Sequence, residues 1–324
     1  MKQISPTPDD LGQRLDRYMR KIFPGAKLWD IYQALRTKQI TVNGKKIPES
    51  AKLRVWDIVE IHLDDKVLKE WQRKEERIIN VSSTIDTSRI LYEDSEILVY
   101  NKPAGLIVHS PDHKTNEVSL IEQVEVYLLS KGWKPAGTFA HPALAHRIDR
   151  DTSGVIIACL TRKSYEHMAE QFRTRKVIKT YHALVSGIPS PKNGTIDAPL
   201  LRLDTGRIDE AKMVVDASGD TAETHYSVID SSDAFGIIAW LRHDNWSLIE
   251  LNPKTGRTHQ IRVHMAHIGH PLIGDRRYGG PSVTKSPELQ HLFGRKWHLL
   301  HAKKIEFIHP NGKKMIIESL LQDI

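Results

Sequence analysis

The sequence predicts an α+β protein in two parts: a small front domain of helices and a hairpin, then a larger domain built on a mixed sheet. Three observations predict it. The chain has 324 residues, and at roughly 150 residues per domain that is about two domains. Its charge is uneven. Residues 1–63 carry 12 Lys/Arg against 7 Asp/Glu, a net of +5, whereas the other 261 carry 35 against 33, a net of +2. From Ile90 onward strand and helix patterns alternate, and a long connection near 187–222 favours a mixed sheet over a strict βαβ repeat.

In the front domain, Leu11, Leu15, Tyr18, Met19 and Ile22 recur at helical spacing, and Pro24-Gly25 ends that helix. A second helix spans about Trp29 to Arg36. Ile40 to Ile47 reads as a strand, an Asn43-Gly44 turn and the start of a second strand, since Asn-Gly tolerates the backbone that a tight hairpin needs. Val55 to Leu63 reads as the closing strand. Residues 64–88, charged and then Ser/Thr-rich, read as a linker with at most one short helix. In the second domain, 89–324, the expected strands are Ile90–Tyr92, Ile97–Tyr100, Val155–Leu160, Tyr181–Val185, His225–Ile229, Phe235–Leu241 and Trp246–Leu251. The expected helices are Val118–Ser130 and Lys163–Arg173.

Composition narrows the function classes. Hydrophobic residues make up 40% and charged residues 27%, an ordinary globular mix. The longest apolar runs, Val155–Leu160 and Phe235–Leu241, fall far short of the roughly 20 residues that span a bilayer. Residues 1–6 lack the apolar stretch of a signal peptide. Cys159 is the only cysteine, which excludes an internal disulfide and a cysteine metal cage. A cytoplasmic protein is expected. A basic front end on a near-neutral body suits a polyanion-binding module joined to something else, or a solvated basic surface.

Two segments concentrate reactive side chains: His146 to Gly154, just ahead of a buried strand, and Thr255 to His264, which opens on a glycine turn. A carboxylate in one and an arginine in the other would offset the cost of polar groups against buried strands. Three chemistries compete. Asp151-Thr152-Ser153-Gly154 and Asp204-Thr205-Gly206 match the aspartic protease signature, but they lie too close in sequence for two equivalent lobes. His264, His267 and His270 suggest a metal, but they share one helical face only in part and have no adjoining Glu. No dinucleotide or phosphate-loop motif is present. RNA modification is the third.

His146-Arg147-Ile148-Asp149-Arg150-Asp151-Thr152-Ser153-Gly154 closely resembles the His-Arg-Leu-Asp-x-x-Thr-Ser-Gly motif of the RluA-type pseudouridine synthases. Tyr92-Glu93-Asp94 through Asn101-Lys102-Pro103-Ala104-Gly105-Leu106 to Val108-His109 resembles the family's first strand pair. Lys179-Thr180-Tyr181 resembles its tyrosine motif and Thr255–His264 its arginine motif. Leu300-His301-Ala302, Phe307 and His309-Pro310 resemble its last strand. Residues 11–63 are similar to the S-four type of RNA-binding domain. The motifs run in order over nearly the whole chain, and within the family the similarity is greatest to the type that modifies several uridines of large-subunit ribosomal RNA.

The resemblance implies a mainly antiparallel sheet and an isomerase without metal or cofactor. Its substrate would be 23S ribosomal RNA, met before or during subunit assembly by a monomeric protein. It implies that Asp149 is the essential carboxylate and that Arg262 pairs with it, ideally through two parallel hydrogen bonds; on the residues alone, that pair could equally be structural. Tyr181 would stack on the uracil, a contact that contributes about 1–3 kcal/mol, and is a candidate to help remove the carbon proton after rearrangement. Arg147 would fill the space left by the displaced base. His146, Arg150, Lys102, Arg257 and His259 are candidate phosphate or base contacts. Arg14, Arg17, Arg36, Lys38, Lys45 and Lys46 would grip phosphates from the front domain. Three departures stand out. Ile148 replaces Leu at little volume cost. Trp56 stands where Gly is usual, which questions the local turn. Asp220 stands where Lys is common.

Overall fold

The computed structural model describes residues 2–6, 12–54, 56–72, 85–109, 117–134, 141–203, 212–229, 246–281 and 298–320. It divides into two compact units, Met1–Ile78 and Ile79–Ile324.

The first unit holds β1 (Lys2–Ile4), α1 (Leu15–Ile22), α2 (Leu28–Arg36), β2 (Ile40–Val42), β3 (Val59–Ile61) and α3 (Asp65–Gln72). Its sheet is antiparallel, in the order β1-β3-β2. Leu15, Tyr18 and Met19 of α1 and Ile31, Ala34 and Leu35 of α2 meet the strand residues in one core. Leu68 and Trp71 of α3 join that core, so its packing extends beyond residue 63.

The expected hairpin is cut short. Asn43 and Gly44 take the left-handed backbone, with φ of 52° and 70°. Pairing then ends after the single Val42–Lys45 bridge, shortly before Pro48, which has no N–H to donate. β2 pairs instead with β3, and the Glu60 carboxylate accepts from Thr41 Oγ1 (2.8 Å) and the Gly44 N–H (2.7 Å) across that pair. Next to Trp56, which is exposed, the Asp57 carboxylate accepts from the Arg54 N–H at 2.7 Å.

The second unit contains β4 (Ile90–Glu93), β5 (Ile97–Lys102), α4 (Leu120–Ser130), β6 (Ala143–Leu144), β7 (Ser153–Cys159) and α5 (Arg162–Arg173). These are followed by β8 (Ile178–Ser186), β9 (Asn193–Asp197), β10 (Leu200–Leu203), β11 (Lys212–Val215) and β12 (Glu223–Val228). β13 (Trp246–Pro253), α6 (Gln260–His267), β14 (Leu300–Ile308) and β15 (Lys314–Glu318) complete it. The main sheet runs β4-β5-β7-β14-β8-β13-β12-β9, with β15 on β14 and β6 on β7. Every pair in it is antiparallel except β7–β14. The stretch near 187–222, expected to be connection, carries β9 and the β10–β11 pair. The strand expected at Phe235–Leu241, and the second protease-like segment at Asp204, lie outside the described residues.

The sheet is covered on both faces. β7 turns Ile156 and Ala158 toward a core shared with α4 and α6, and Val155, Ile157 and Cys159 toward one shared with α5. A strand buried on both sides reads as an unbroken apolar run, which is why Val155–Leu160 stands out in the sequence. At the start of β7, Gly154 has φ of 109°, and a Cβ built there would lie 2.3 Å from the Ala302 carbonyl oxygen of β14. Only glycine lets the two strands meet, and the residues before it form the loop that holds the His146–Thr152 segment.

Candidate active site

The loop between β6 and β7 is pinned on several sides. Lys102 is fully buried, and its ammonium donates to the carbonyls of Pro103 (2.9 Å), Leu106 (2.9 Å) and Arg150 (2.7 Å). Burial pulls its pKa down to about 7. It is therefore not the RNA contact expected from its charge; it ties the Asp149 loop to the end of β5. Thr152 Oγ1 bonds His298 Nε2 at 3.1 Å, and Ser153 Oγ bonds His301 Nδ1 at 2.9 Å. Every one of these polar groups is buried and partnered, as the cost of desolvation demands.

Asp149 projects from this loop into a cavity of about 430 Å³ whose lining includes Arg147, Tyr181, Arg257, His259 and Arg262. Arg262 Nη1 donates to Asp149 Oδ2 at 3.2 Å. The expected two-bond pairing with Asp149 is corrected here. The forked pair is with Asp275, through Nε to Oδ2 at 2.7 Å and Nη2 to Oδ1 at 2.9 Å. Asp275 also accepts from the N–H groups of Arg277 (3.2 Å) and Tyr278 (3.3 Å). Burial works against the Arg262 cation, but the bonds to Asp275 and the Asp149 charge outweigh it and hold its pKa above the usual value. For Asp275, burial raises the pKa, and the Arg262 fork overrides it to bring the net shift below the usual carboxylate range. The guanidinium also lies 5.1 Å from the Tyr278 ring centroid. Its planar fork is thus fixed by one carboxylate and offers its remaining edge to another.

Tyr181 faces the same core as α6 and is buried. Burial, and then the neighbouring Asp149 charge, push its phenol above the ordinary value. It keeps its proton and presents an aromatic face, which suits stacking rather than proton removal.

His259 sits at the N-terminus of α6 with φ of 54°, a conformation that costs a non-glycine residue on the order of 1–2 kcal/mol. Its Nδ1 bonds the Tyr278 hydroxyl at 2.7 Å and its Nε2 lies 3.8 Å from Asp149 Oδ2. Burial lowers its pKa to about 4, so the ring is neutral near pH 7. His146 is not poised for phosphate either. Its Nε2 accepts from the Ile157 N–H at 3.2 Å, its ring stacks on Phe172, and burial lowers its pKa to about 3. Arg147 is exposed beside Asp149. Arg150 is paired with Glu117 and donates to the Gly105 carbonyl at 3.2 Å. Arg257 pairs with Asp220 at 3.2 Å and donates to the Thr221 carbonyl at 3.1 Å, so the unusual acid at 220 restrains a cleft arginine.

In the first unit Arg17, Arg36, Lys38, Lys45 and Lys46 are exposed. Arg14 is engaged by Asp16 at 2.7 and 3.1 Å. Sequence reasoning missed Asp275, Tyr278 and His298. The only hint was Gly274-Asp275-Arg276-Arg277-Tyr278-Gly279-Gly280, a polar, glycine-rich turn after apolar Leu272-Ile273. Among the described residues no three His, Cys, Asp or Glu side chains converge on a metal position. His264 bonds Thr224 Oγ1 and the Ala198 carbonyl, and His270 bonds the Ser186 carbonyl. No described helix is long and apolar enough to cross a membrane.

A family profile described as RNA pseudouridylate synthase matches residues 96–267, a span that contains Asp149, Tyr181 and Arg262. The chain is 35% identical to "Ribosomal large subunit pseudouridine synthase C" of Buchnera aphidicola subsp. Acyrthosiphon pisum (strain APS), over 96% of this chain and 91% of that protein. It is 33% identical to the protein of the same name in Escherichia coli (strain K12), over 100% and 94%. The solved structure of "Human RNA Pseudouridylate Synthase Domain Containing 4" superposes with a TM-score of 0.53 at 25% identity, covering 72% of this chain and 88% of that one.

Proposed function

This chain belongs to the RNA pseudouridylate synthase family, and we propose that it converts selected uridines of 23S ribosomal RNA to pseudouridine at the Asp149 cleft. The observation that carries this reading is a carboxylate at a cavity wall, held by an arginine N–H and faced by a protonated tyrosine, inside the segment that matches the family. In the reaction the bond from uracil nitrogen to ribose breaks, a ring carbon bonds to the same ribose carbon, and that carbon's proton passes to nitrogen. Atoms and electrons balance within the substrate.

Each side chain has a role in that sequence. The target uridine must leave its stack to reach Asp149. Arg147, exposed on the residue's flank, fills the vacated position. Tyr181 supports the turned base. Asp149 acts at the reaction centre while Arg262 stabilises its negative charge and sets its orientation, and Asp275 keeps Arg262 from rotating. Arg17, Arg36, Lys38, Lys45 and Lys46 grip phosphates without reading sequence, so site choice falls to RNA fold around the cleft. The protein works as a cytoplasmic monomer on ribosomal RNA before or during subunit assembly.

Pseudouridine mapping of all RNA from cells with and without the gene tests the target. Loss of signal at a few 23S positions is expected. An unchanged 23S map, with loss in another RNA, would overturn the substrate assignment.

A further inference from the structure

Helix α5 ends in an unusual way. Arg175, just past its last turn, has φ of 57°. The backbone there follows a helix-ending pattern, with Arg175 N–H to the Phe172 carbonyl at 3.2 Å and Lys176 N–H to the Gln171 carbonyl at 2.9 Å. Glycine is the residue favoured at such a position, because a Cβ is strained in the left-handed region. A long cation is a poor choice for the turn itself. It is not needed to offset the helix dipole, since Arg173 already occupies the last turn, where it is paired with Glu170 at 2.6 Å.

The side chain of Arg175 lines the Asp149 cavity. Lys179 lines the same cavity from β8 and shares a strand face with Tyr181, two residues on. The Lys179 ammonium donates to the Thr255 carbonyl at 3.1 Å, and burial lowers its pKa to about 8. Gly256 lies beside it, where a Cβ would stand 3.9 Å from Nζ, in ordinary contact. Among the described residues no carboxylate forms an ion pair with Arg175 or Lys179, in contrast to Arg257 and Arg262 of the same cleft. One cation stands exposed at the rim and one is half-buried near Tyr181, and neither has a counter-charge among the described residues.

We propose that Arg175 and Lys179 form a phosphate ledge that holds the RNA backbone beside the displaced uridine, the rim cation taking an outer phosphate and the inner cation the phosphate nearest the cleft. The proposal rests on the RNA-modifying reading of the cleft. It makes the α5–β8 turn a strained backbone position retained for its side chain.

Arg175→Gly separates binding from folding, because glycine suits the backbone better than arginine does. Measured on the full chain with a 23S RNA fragment that it modifies, this variant is expected to melt no lower than the wild type. Its KM is expected to rise about fivefold, with most of the loss in KM rather than kcat, and its log K against log [salt] slope to shrink by about 1. Arg175→Lys should retain most of that slope. Lys163→Ala, which removes one exposed charge at the far end of α5, should leave KM and slope unchanged. Lys179→Ala should raise KM similarly. An Arg175→Gly protein with wild-type KM and slope, or a Lys163→Ala protein that loses as much as Arg175→Gly, would overturn the ledge. A lower melting temperature with unchanged RNA binding would reduce Arg175 to a helix cap and overturn it too. The salt slopes are repeated in the Asp149→Asn background, where no product forms. A slope change there in a protein whose wild type makes no pseudouridine would retain the ledge and defeat the catalytic reading instead.

Discussion

The first unit and the inner wall of the cleft, around Asp149, hold their cations in different ways. In the first unit Arg17, Arg36, Lys38, Lys45 and Lys46 stand exposed, and among the described residues only Arg14 of the six expected contacts is held by an acid. In the cleft Arg257 and Arg262 are each tied to a carboxylate, whereas Arg175 and Lys179, which also line it, have no ion pair among the described residues. Exposed charge gives long-range, salt-sensitive attraction to a polyanion. Tied charge gives fixed geometry, which is what chemistry on one base requires. A count of charges therefore points to a surface suited to gathering a polyanion, and the pairings point to a site of fixed geometry.

The difference sets the expected size of each perturbation. Arg262→Ala leaves the nearly inaccessible Asp275 carboxylate, 1% exposed, without its fork, and breaking such a pair costs about 3–5 kcal/mol. Arg36→Ala in the first unit should stay within about 0.5 kcal/mol. Chemical unfolding of both variants checks this, and equal stabilities would mean the cleft arginine is no more structural than a surface one. Gly154→Ala should cost at least about 1–3 kcal/mol, because its methyl would meet the Ala302 carbonyl of the neighbouring strand.

Acid should act through the cleft. His298 and His259 are held by burial near pKa 4, against about 6.5 in an unfolded chain. Both are neutral when folded. As pH falls from 6.5 toward 4 the unfolded chain takes up protons that the folded one refuses, so stability is full above that window and declines through it. Melting temperature against pH should therefore fall in this range, less steeply for His298→Gln than for the wild type. Parallel curves would remove His298 from the explanation. The smallest effect belongs to the first unit: Lys45→Ala should reduce the salt slope of RNA binding by about 0.7–0.9 and leave stability unchanged.

The candidate reacting groups are legible in the sequence because most of them crowd into two polar segments beside apolar strands. Asp149, Tyr181 and Arg262 do come together. Asp275 was not legible, because its role depends on a contact that exists only once α6 and the 275–278 turn have folded against each other. Lys102 was misread because a sequence displays charge and not burial. β9 escaped notice for a related reason: of Asn193–Asp197 only Ile196 is buried, which leaves no alternation to see. The Asn43-Gly44 turn was read correctly, but the strand expected after it does not form, and Pro48 follows within a few residues.

The direct test of the central claim is Asp149→Asn in the full chain. The substitution preserves shape and removes the negative charge. It should fold, bind 23S RNA with the wild-type salt slope, and form no pseudouridine in a single-turnover assay with enzyme in excess. Pseudouridine formation at the wild-type rate by a folded Asp149→Asn protein would contradict the account.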